Sequence, residues 1–514
     1  MSLAAAERAR SEPQALALAD ERIELGWARL DELLNRAANA LLAADVGDGR
    51  RIGVFAHNSA ETALAYLAGL EAGISPIPIN FHLTADEVAY ILEDAGAGLL
   101  FVGPETAAVG LAAAARASVA RVVGWRCDAQ GVTRWEDWLA QALASAPPGD
   151  RPPRPFLHYT SGTTGKPKGA ETPPTMFPRT STVAEFFAAM REQVAAAAPG
   201  PGLAVGPLYH TGPLGSVRQL GGGKPLVVMS RFDPERVLET IERRRISSTL
   251  MVPTHFQRLL ALPAETRARY DVSSLRWVAH TGAACPRDVK QRMIDWFGPV
   301  LVEAYGGTES GTTNLINAEE WLKRPGSVGK TLPPFELLVV GEDGTPLGAG
   351  EVGQLYFRDT TGRGIIYHND PEKTRAAHLA PGVFTLGEVG YVDEDGYVFI
   401  TDRVSDMIVS GGVNIYPAEA EQVLIRHPDV ADVAVIGAPN AEMGEEVKAL
   451  VIARDADQPP SFASLDAHCR AHLAGYKCPR SFEFVSDLGR NAMGKINKRA
   501  LRRRYWPTER TIGG

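Results

Sequence analysis

The chain has 514 residues, and 53 Lys plus Arg against 61 Asp plus Glu give a formal charge of −8. It therefore lacks the basic excess of a broad nucleic-acid footprint. Apolar residues at 45% and charged residues at 22% read as globular, and the length is too great for one core, so two or more domains are expected.

Cys127, Cys285, Cys469 and Cys478 form no CxxC pair, which argues against a disulfide framework or a thiolate zinc site. Glu7 and Arg8 precede any apolar run, unlike a secretory leader. No stretch reaches the roughly 18 apolar residues of a spanning helix. A soluble cytoplasmic protein is expected.

In chain order, residues 30–46 carry apolar side chains at helical spacing, and 51–57 form a short apolar run suited to a buried strand. Residues 60–73 are helix-like and stop on Gly73. Residues 74–80 and 97–103 are strand-like, with a helical 84–96 between them. This alternation reads as βαβ units on a largely parallel sheet. The Pro-rich segment 144–155 is a surface link, and mixed α/β patterning resumes over 156–330. Alternating apolar residues around the turn dipeptides of 335–359 and 387–402 predict a small β-rich piece. Residues 406–505 return to α/β, with strands at 430–439 and 447–455. The Ala-rich segments 111–120 and 194–198 are read as helical.

Four segments carry chemistry. His158-Tyr159-Thr160-Ser161-Gly162-Thr163-Thr164-Gly165-Lys166-Pro167-Lys168-Gly169 combines hydroxyls, glycines and lysines, as a polyphosphate cradle requires. It is not a Walker A loop, because Pro167 stands where a magnesium-binding Ser or Thr would follow the lysine. Glu303-Ala304-Tyr305-Gly306-Gly307-Thr308-Glu309-Ser310 offers an aromatic face, small residues and a carboxylate able to bind an escorting magnesium. Glu388 and Arg403 are separated by a β-hairpin and could converge on ribose hydroxyls, and Ser410-Gly411-Gly412 permits close approach of a ligand. Gly489 to Arg499 places Lys495 on a glycine-led loop near the C-terminus. Lys498, Arg499 and the run 502–504 read as a basic solvated tail.

In this order and spacing, the segments YTSGTTGKPKG, YGGTE, DRVSDMIVSGGVNIYPAEAE and NAMGKINKRAL resemble the acyl-adenylate-forming superfamily. That superfamily holds acyl-CoA synthetases, adenylation domains of peptide synthetases and luciferases, and the chain is most similar to AMP-forming fatty-acid-type acyl-CoA synthetases. The resemblance spans nearly the whole chain. It implies a large N-terminal α/β domain with a β-rich subdomain, residues 1–404, and a small mobile C-terminal α/β domain, 405–514.

It also implies the reaction. A carboxylate attacks the α-phosphate of Mg-ATP, giving acyl-AMP and pyrophosphate, and a thiol then displaces AMP. Lys495 matches the catalytic lysine. Thr160, Ser161, Gly162, Thr163, Thr164, Gly165, Lys166 and Lys168 would hold the β- and γ-phosphates, with Thr308 on the α-phosphate. Glu309 and Thr160 would hold magnesium. Gly282, Ala283, Ala284, Glu303, Ala304, Tyr305 and Gly306 would frame the adenine, and Glu388 with Arg403 the ribose. His210 matches an aromatic position that gates the pantetheine tunnel. Gly411 and Gly412 would face coenzyme A, and Ser405 sits at the hinge. The chain departs from the family in using Glu388 where Asp is usual and Ser405 where Asp or Lys is usual.

An acyl-CoA synthetase is the leading reading. The alternatives are a free-standing adenylation enzyme loading a carrier protein, and a non-catalytic nucleotide-binding regulator, which intact Lys495 and Glu309 count against. The expected partners are a small carboxylic acid, ATP and CoA, with no nucleic acid, and a homodimer is left open. Small residues such as Gly212, Gly215, Ser216 and Ala283 favour a medium- or long-chain, or bulky apolar, acid over acetate. Arg218 is a candidate to pair with a second carboxylate if it points inward.

Overall fold

The computed structural model describes residues 5–44, 46–47, 49–160, 167–341, 343–403, 406–410, 413–440, 443–491 and 494–506; the side chains of 403 and 414 are outside that description. The βαβ alternation folds as read. Strands Arg51–Phe55, Ser75–Pro78, Ala97–Val102, Arg121–Gly124 and Thr133–Arg134 form a five-stranded, all-parallel sheet. Helix Ala85–Ala95 starts at a Thr84–Glu87 capping box and stops at Gly96, which is left-handed at φ 61°, satisfying its orphan N–H and C=O groups at both ends.

A second sheet of nine strands runs Lys330–Thr331, Gly311–Asn317, Leu301–Gly307, Trp277–His280, Ser248–Met251, Gly202–Ala204, Leu226–Val228, Leu16–Ala19 and Glu24–Gly26. Its centre is parallel and its ends are antiparallel. The layer between the two sheets is helical. Every residue of Ala60–Glu71 is buried, as expected for a helix apolar on all sides. It shares one core with Trp27, Phe186, Leu214, Val217 and Leu220 and with strand residues from both sheets.

The turn-rich region forms a six-stranded antiparallel sheet that includes Phe335–Val340, Gly353–Asp359, Glu388–Val392 and Val398–Arg403. A separate C-terminal sheet is built from Ile408–Ser410, Val413–Ile415, Val430–Asn440, Gly444–Ala453 and Ser481–Phe484.

Three sequence readings are corrected. The helix predicted through 194–198 is Val183–Ala195 and ends there, because Pro199 disfavours helical backbone just before it. Likewise the Ala-rich 111–120 is helical only as far as Arg116. The basic C-terminal stretch is a solvated tail only in part: Arg503 and Arg504 are exposed, while Lys498 and Arg502 are not free in solvent. Lys498–Arg502 is a helix whose Leu501 and Arg502 are buried. Lys498 Nζ pairs with Glu421 at 2.8 Å, and Arg502 with Asp406 at 3.2 Å. Charge run alone could not reveal these carboxylates, which come from 77 and 96 positions earlier in the chain.

Candidate functional site

The parallel centre of the large sheet gathers the site. Strands Gly202–Ala204, Ser248–Met251, Trp277–His280 and Leu301–Gly307 lie in consecutive register, with Ala204 beside Leu250, Met251 beside His280, and His280 beside Glu303. Parallel strands end on one edge, so the segments leaving them are neighbours: Pro207–His210, Pro253–Thr254, Gly282–Ala284 and Tyr305–Glu309. The crevice outside the carboxyl ends of such strands is where open α/β sheets bind ligands. Gly306 keeps the antiparallel return tight, since a Cβ there would lie 2.0 Å from the Gly311 carbonyl oxygen.

Thr308 meets this row directly, its Oγ1 3.4 Å from Thr211 Oγ1. Glu309 accepts a hydrogen bond from the Tyr367 phenol at 3.3 Å. The Lys373 ammonium lies over the Tyr367 ring, 3.9 Å from its centroid, and near enough to Lys168 to feel its charge. Burial first, then the Lys168 charge, push Lys373 down to about 8, while Glu309 and Asp370 oppose the shift. Two ammonium groups held this close form a natural anion seat. Thr160 sits opposite Lys168 in the antiparallel pair of strands Leu157–Thr160 and Lys168–Glu171. Ser161, Gly162, Thr163, Thr164, Gly165 and Lys166 lie outside the described residues.

Tyr305 donates to Glu388 Oε2 at 2.9 Å. Glu388 and Arg403 stand directly opposite in adjacent strands, as the hairpin spacing predicted. The tyrosine ring and the ribose-type carboxylate are therefore one unit. Glu303 is a buried partner of Lys290 at 2.6 Å, with His280 at 3.7 Å.

Lys495 arrives from the C-terminal domain. Arg490 holds Asp432 through two contacts of 2.6 Å, Arg490 bridges Ile496, and the Asn491 side chain accepts from the Lys495 N–H at 2.9 Å. Gly494 abuts the N-terminus of helix Pro253–Leu260: a Cβ there would stand 2.6 Å from Thr254 Cγ2. Lys495 is close enough that its charge, after burial, depresses His210, which is pushed down to about 3 and is neutral at pH 7. The structure thus brings together Thr308, Glu309, Lys168, Tyr305, Glu388, His210 and Lys495. Ser405, Gly411 and Gly412 lie outside the described residues. Sequence reasoning missed Thr211, Tyr367, Lys373 and Lys290. Asp370 capping Pro371–Ala376 is legible as a helix start, but nothing in that pattern says what Lys373 faces.

The site's partition between two chain segments matches the comparisons. A model described as AMP-binding enzyme matches residues 5–364, and its C-terminal domain counterpart matches 419–495. The chain belongs to the AMP-binding enzyme family. Among its relatives in that family, a feruloyl-CoA synthase of an Amycolatopsis species is 35% identical over 97% of each chain. An indoleacetate–CoA ligase of Aromatoleum aromaticum is 31% identical over 96% of this chain and 95% of its own. The crystal structure of an anthranilate CoA ligase in complex with anthranoyl-AMP superposes with a TM-score of 0.84 at 26% identity, covering 98% of this chain and 97% of that one. Among the described residues no helix is long and apolar enough to cross a membrane.

Proposed function

We propose that this AMP-binding enzyme is an acyl-CoA synthetase: it joins a carboxylic acid to AMP at the expense of ATP, releasing pyrophosphate, then passes the acyl group to the thiol of CoA. The observation that carries this reading is the docking of the Lys495 loop on Thr254 and beside His210, at the strand edge that also presents Thr308 and Glu309. In the first step a substrate carboxylate oxygen bonds to the α-phosphorus and the bond to pyrophosphate breaks. Negative charge spreads over phosphoryl oxygens, where fixed cations act most strongly. Lys495 meets the carboxylate and α-phosphate, Thr308 donates to the α-phosphate, and Lys168, Lys373 and the cradle 160–166 hold the β- and γ-phosphates. Ala304, Tyr305, Gly306 and Gly282 to Ala284 border the adenine, while Glu388 and Arg403 take the ribose hydroxyls. Glu303 supports this wall through Lys290.

One carboxylate and one hydroxyl, Glu309 and Thr160, suit a magnesium ion whose remaining ligands are water and substrate phosphate. Among the described residues no cluster of three or more His, Cys, Asp or Glu could cage it alone. Magnesium, when bound, would neutralise phosphate charge.

In the second step the thiol sulfur attacks the acyl carbon, the bond to AMP breaks, and the thiol proton is lost. Neutral His210 gates the thiol's approach, Gly411 and Gly412 face CoA, and Ser405 is the pivot between domains 1–404 and 405–514. A sheet built wholly from residues after 407 supports that division. A cytoplasmic location fits the co-substrates ATP and CoA. A bulky acyl group is favoured over acetyl, supported by Gly212, Gly215 and Ser216 beside the gate and by relatives named for feruloyl and indoleacetate.

The test is pyrophosphate release over a panel of carboxylic acids, with and without CoA. Acid-dependent release followed by CoA-dependent AMP release is expected. Acyl-AMP that resolves only with an added carrier protein would identify a carrier-loading enzyme. AMP binding without release for any acid would identify a regulator.

A further inference from the structure

Helix Thr211–Gly221 runs from the gate residue His210 into the interior. Thr211, Gly215 and Arg218 fall on one face, at i, i+4 and i+7. Thr211 points that face at the site through Thr308. At Gly215 the face opens: a Cβ there would meet only the Arg218 Nη2, at 3.7 Å. The same contact shows the guanidinium folded back toward the helix N-terminus, as long side chains on helices do, and so toward the gate. Arg218 Nη1 is sealed from solvent with no hydrogen-bond partner among the described residues, although the residue keeps some accessible surface elsewhere. Burial lowers it only to about 10, and no carboxylate among the described residues offsets that burial. It therefore stays charged at neutral pH.

His158, 2% exposed, is near enough to feel the Arg218 charge. Its Nε2 also lacks a partner among the described residues. Burial, then the charges of Arg218 and His210, push it down to about 3, so it is a neutral donor or acceptor. A buried cation without a counter-ion is costly, and structures keep one where a ligand supplies the charge.

We propose that Arg218, with His158, is an anion seat in the acyl pocket, and that the preferred substrate is a carboxylic acid bearing a second carboxylate at its distal end. This rests on the acyl-CoA synthetase reading and gives the acyl group favoured there an anionic distal end. Gly215 leaves the space between gate and guanidinium. The rise from Thr211 to Gly215 is about 6 Å, so the two carboxylates are separated by only a few bonds or one ring.

The experiment compares acids matched in length whose distal group is carboxylate, methyl ketone or methyl, read as kcat/KM for pyrophosphate release, in the native enzyme and in Arg218→Met. The native enzyme should prefer the diacid by roughly 10- to 100-fold, the worth of a charged hydrogen bond. Arg218→Met should abolish that preference while retaining turnover of the methyl acid. Thermal unfolding without substrate separates a structural role: the variant should be as stable as the native chain or more so, because an uncompensated buried charge has been removed.

Equal or better use of the methyl acid by the native enzyme would overturn the proposal while leaving the synthetase reading intact. A preference for the ketone would replace the anion with a neutral acceptor and would also overturn it. Marked destabilisation of Arg218→Met would make the arginine structural, against the proposal. If no acid is activated, the synthetase reading fails. The seat is then judged by thermal shift of the native protein, in which diacid but not methyl acid should raise the unfolding temperature.

Discussion

Gly494 packs closely against Thr254, so adding one methyl group there tests the docked geometry. Its φ is +69°, a region in which a residue with a Cβ costs about 1–2 kcal/mol. The new Cβ would also stand 2.6 Å from Thr254 Cγ2 and 2.7 Å from Thr254 Oγ1, inside contact distance. The backbone cost falls on the loop in either pose, whereas the clash, typically about 1–3 kcal/mol or roughly 5- to 150-fold in rate, acts only while the loop is docked. Gly494→Ala should therefore slow acyl-AMP formation by about that factor. Conversion of supplied acyl-AMP to thioester should change little, since it does not use this face.

Adding Thr254→Ala removes both crowding atoms and leaves the threonine's former Cβ position at 3.3 Å, a contact that small shifts relieve. The double variant should recover the clash and keep the backbone cost. Rapid-quench measurement of each half-reaction decides it. Equal loss in both half-reactions, or no recovery with Thr254→Ala, would refute docking of the Lys495 loop on this helix during adenylation.

Lys495→Ala should lose roughly 3–4 kcal/mol of transition-state stabilisation in adenylation and retain thioester formation from acyl-AMP; parallel losses in single-turnover assays would remove its assigned role. Glu309→Gln keeps shape and drops charge, so the magnesium dependence of ATP use should weaken while AMP affinity, measured by calorimetry, holds. Lys373 has its pKa lowered to about 8, so it carries its charge below that pH and loses it above. The kcat/KM for ATP should fall as pH rises through about 8, and Lys373→Met should flatten that limb of the profile. Lys290→Met strands the buried Glu303 carboxylate and should cost about 3–5 kcal/mol in denaturant unfolding; a cost near zero would mean the pair carries no structural weight.

Periodicity and punctuation were enough to read the βαβ order, because each helix and strand buries a stripe whose spacing is set by its own backbone. Ser59, Thr84 and Gly96 mark element ends for equally local reasons. The hairpin partnership of Glu388 and Arg403 was legible because two antiparallel strands with a short turn fix their own register. The chemistry-bearing segments could be recognised as hydroxyls, glycines and lysines in order, but not placed.

Their placement was decided by the sheet. Parallel strands from four distant stretches end on one edge, and only that topology brings His210, Thr254, Tyr305 and Thr308 together. Tertiary packing also turned Glu303 toward Lys290 and set Lys373 on Tyr367, and contacts from 77 and 96 positions away gave Lys498 and Arg502 their carboxylates. It also folded Arg218 back over Gly215. Side-chain charge is written in the sequence; whether that charge meets water, a partner or an empty space is a property of the neighbours that packing supplies, which no local pattern encodes.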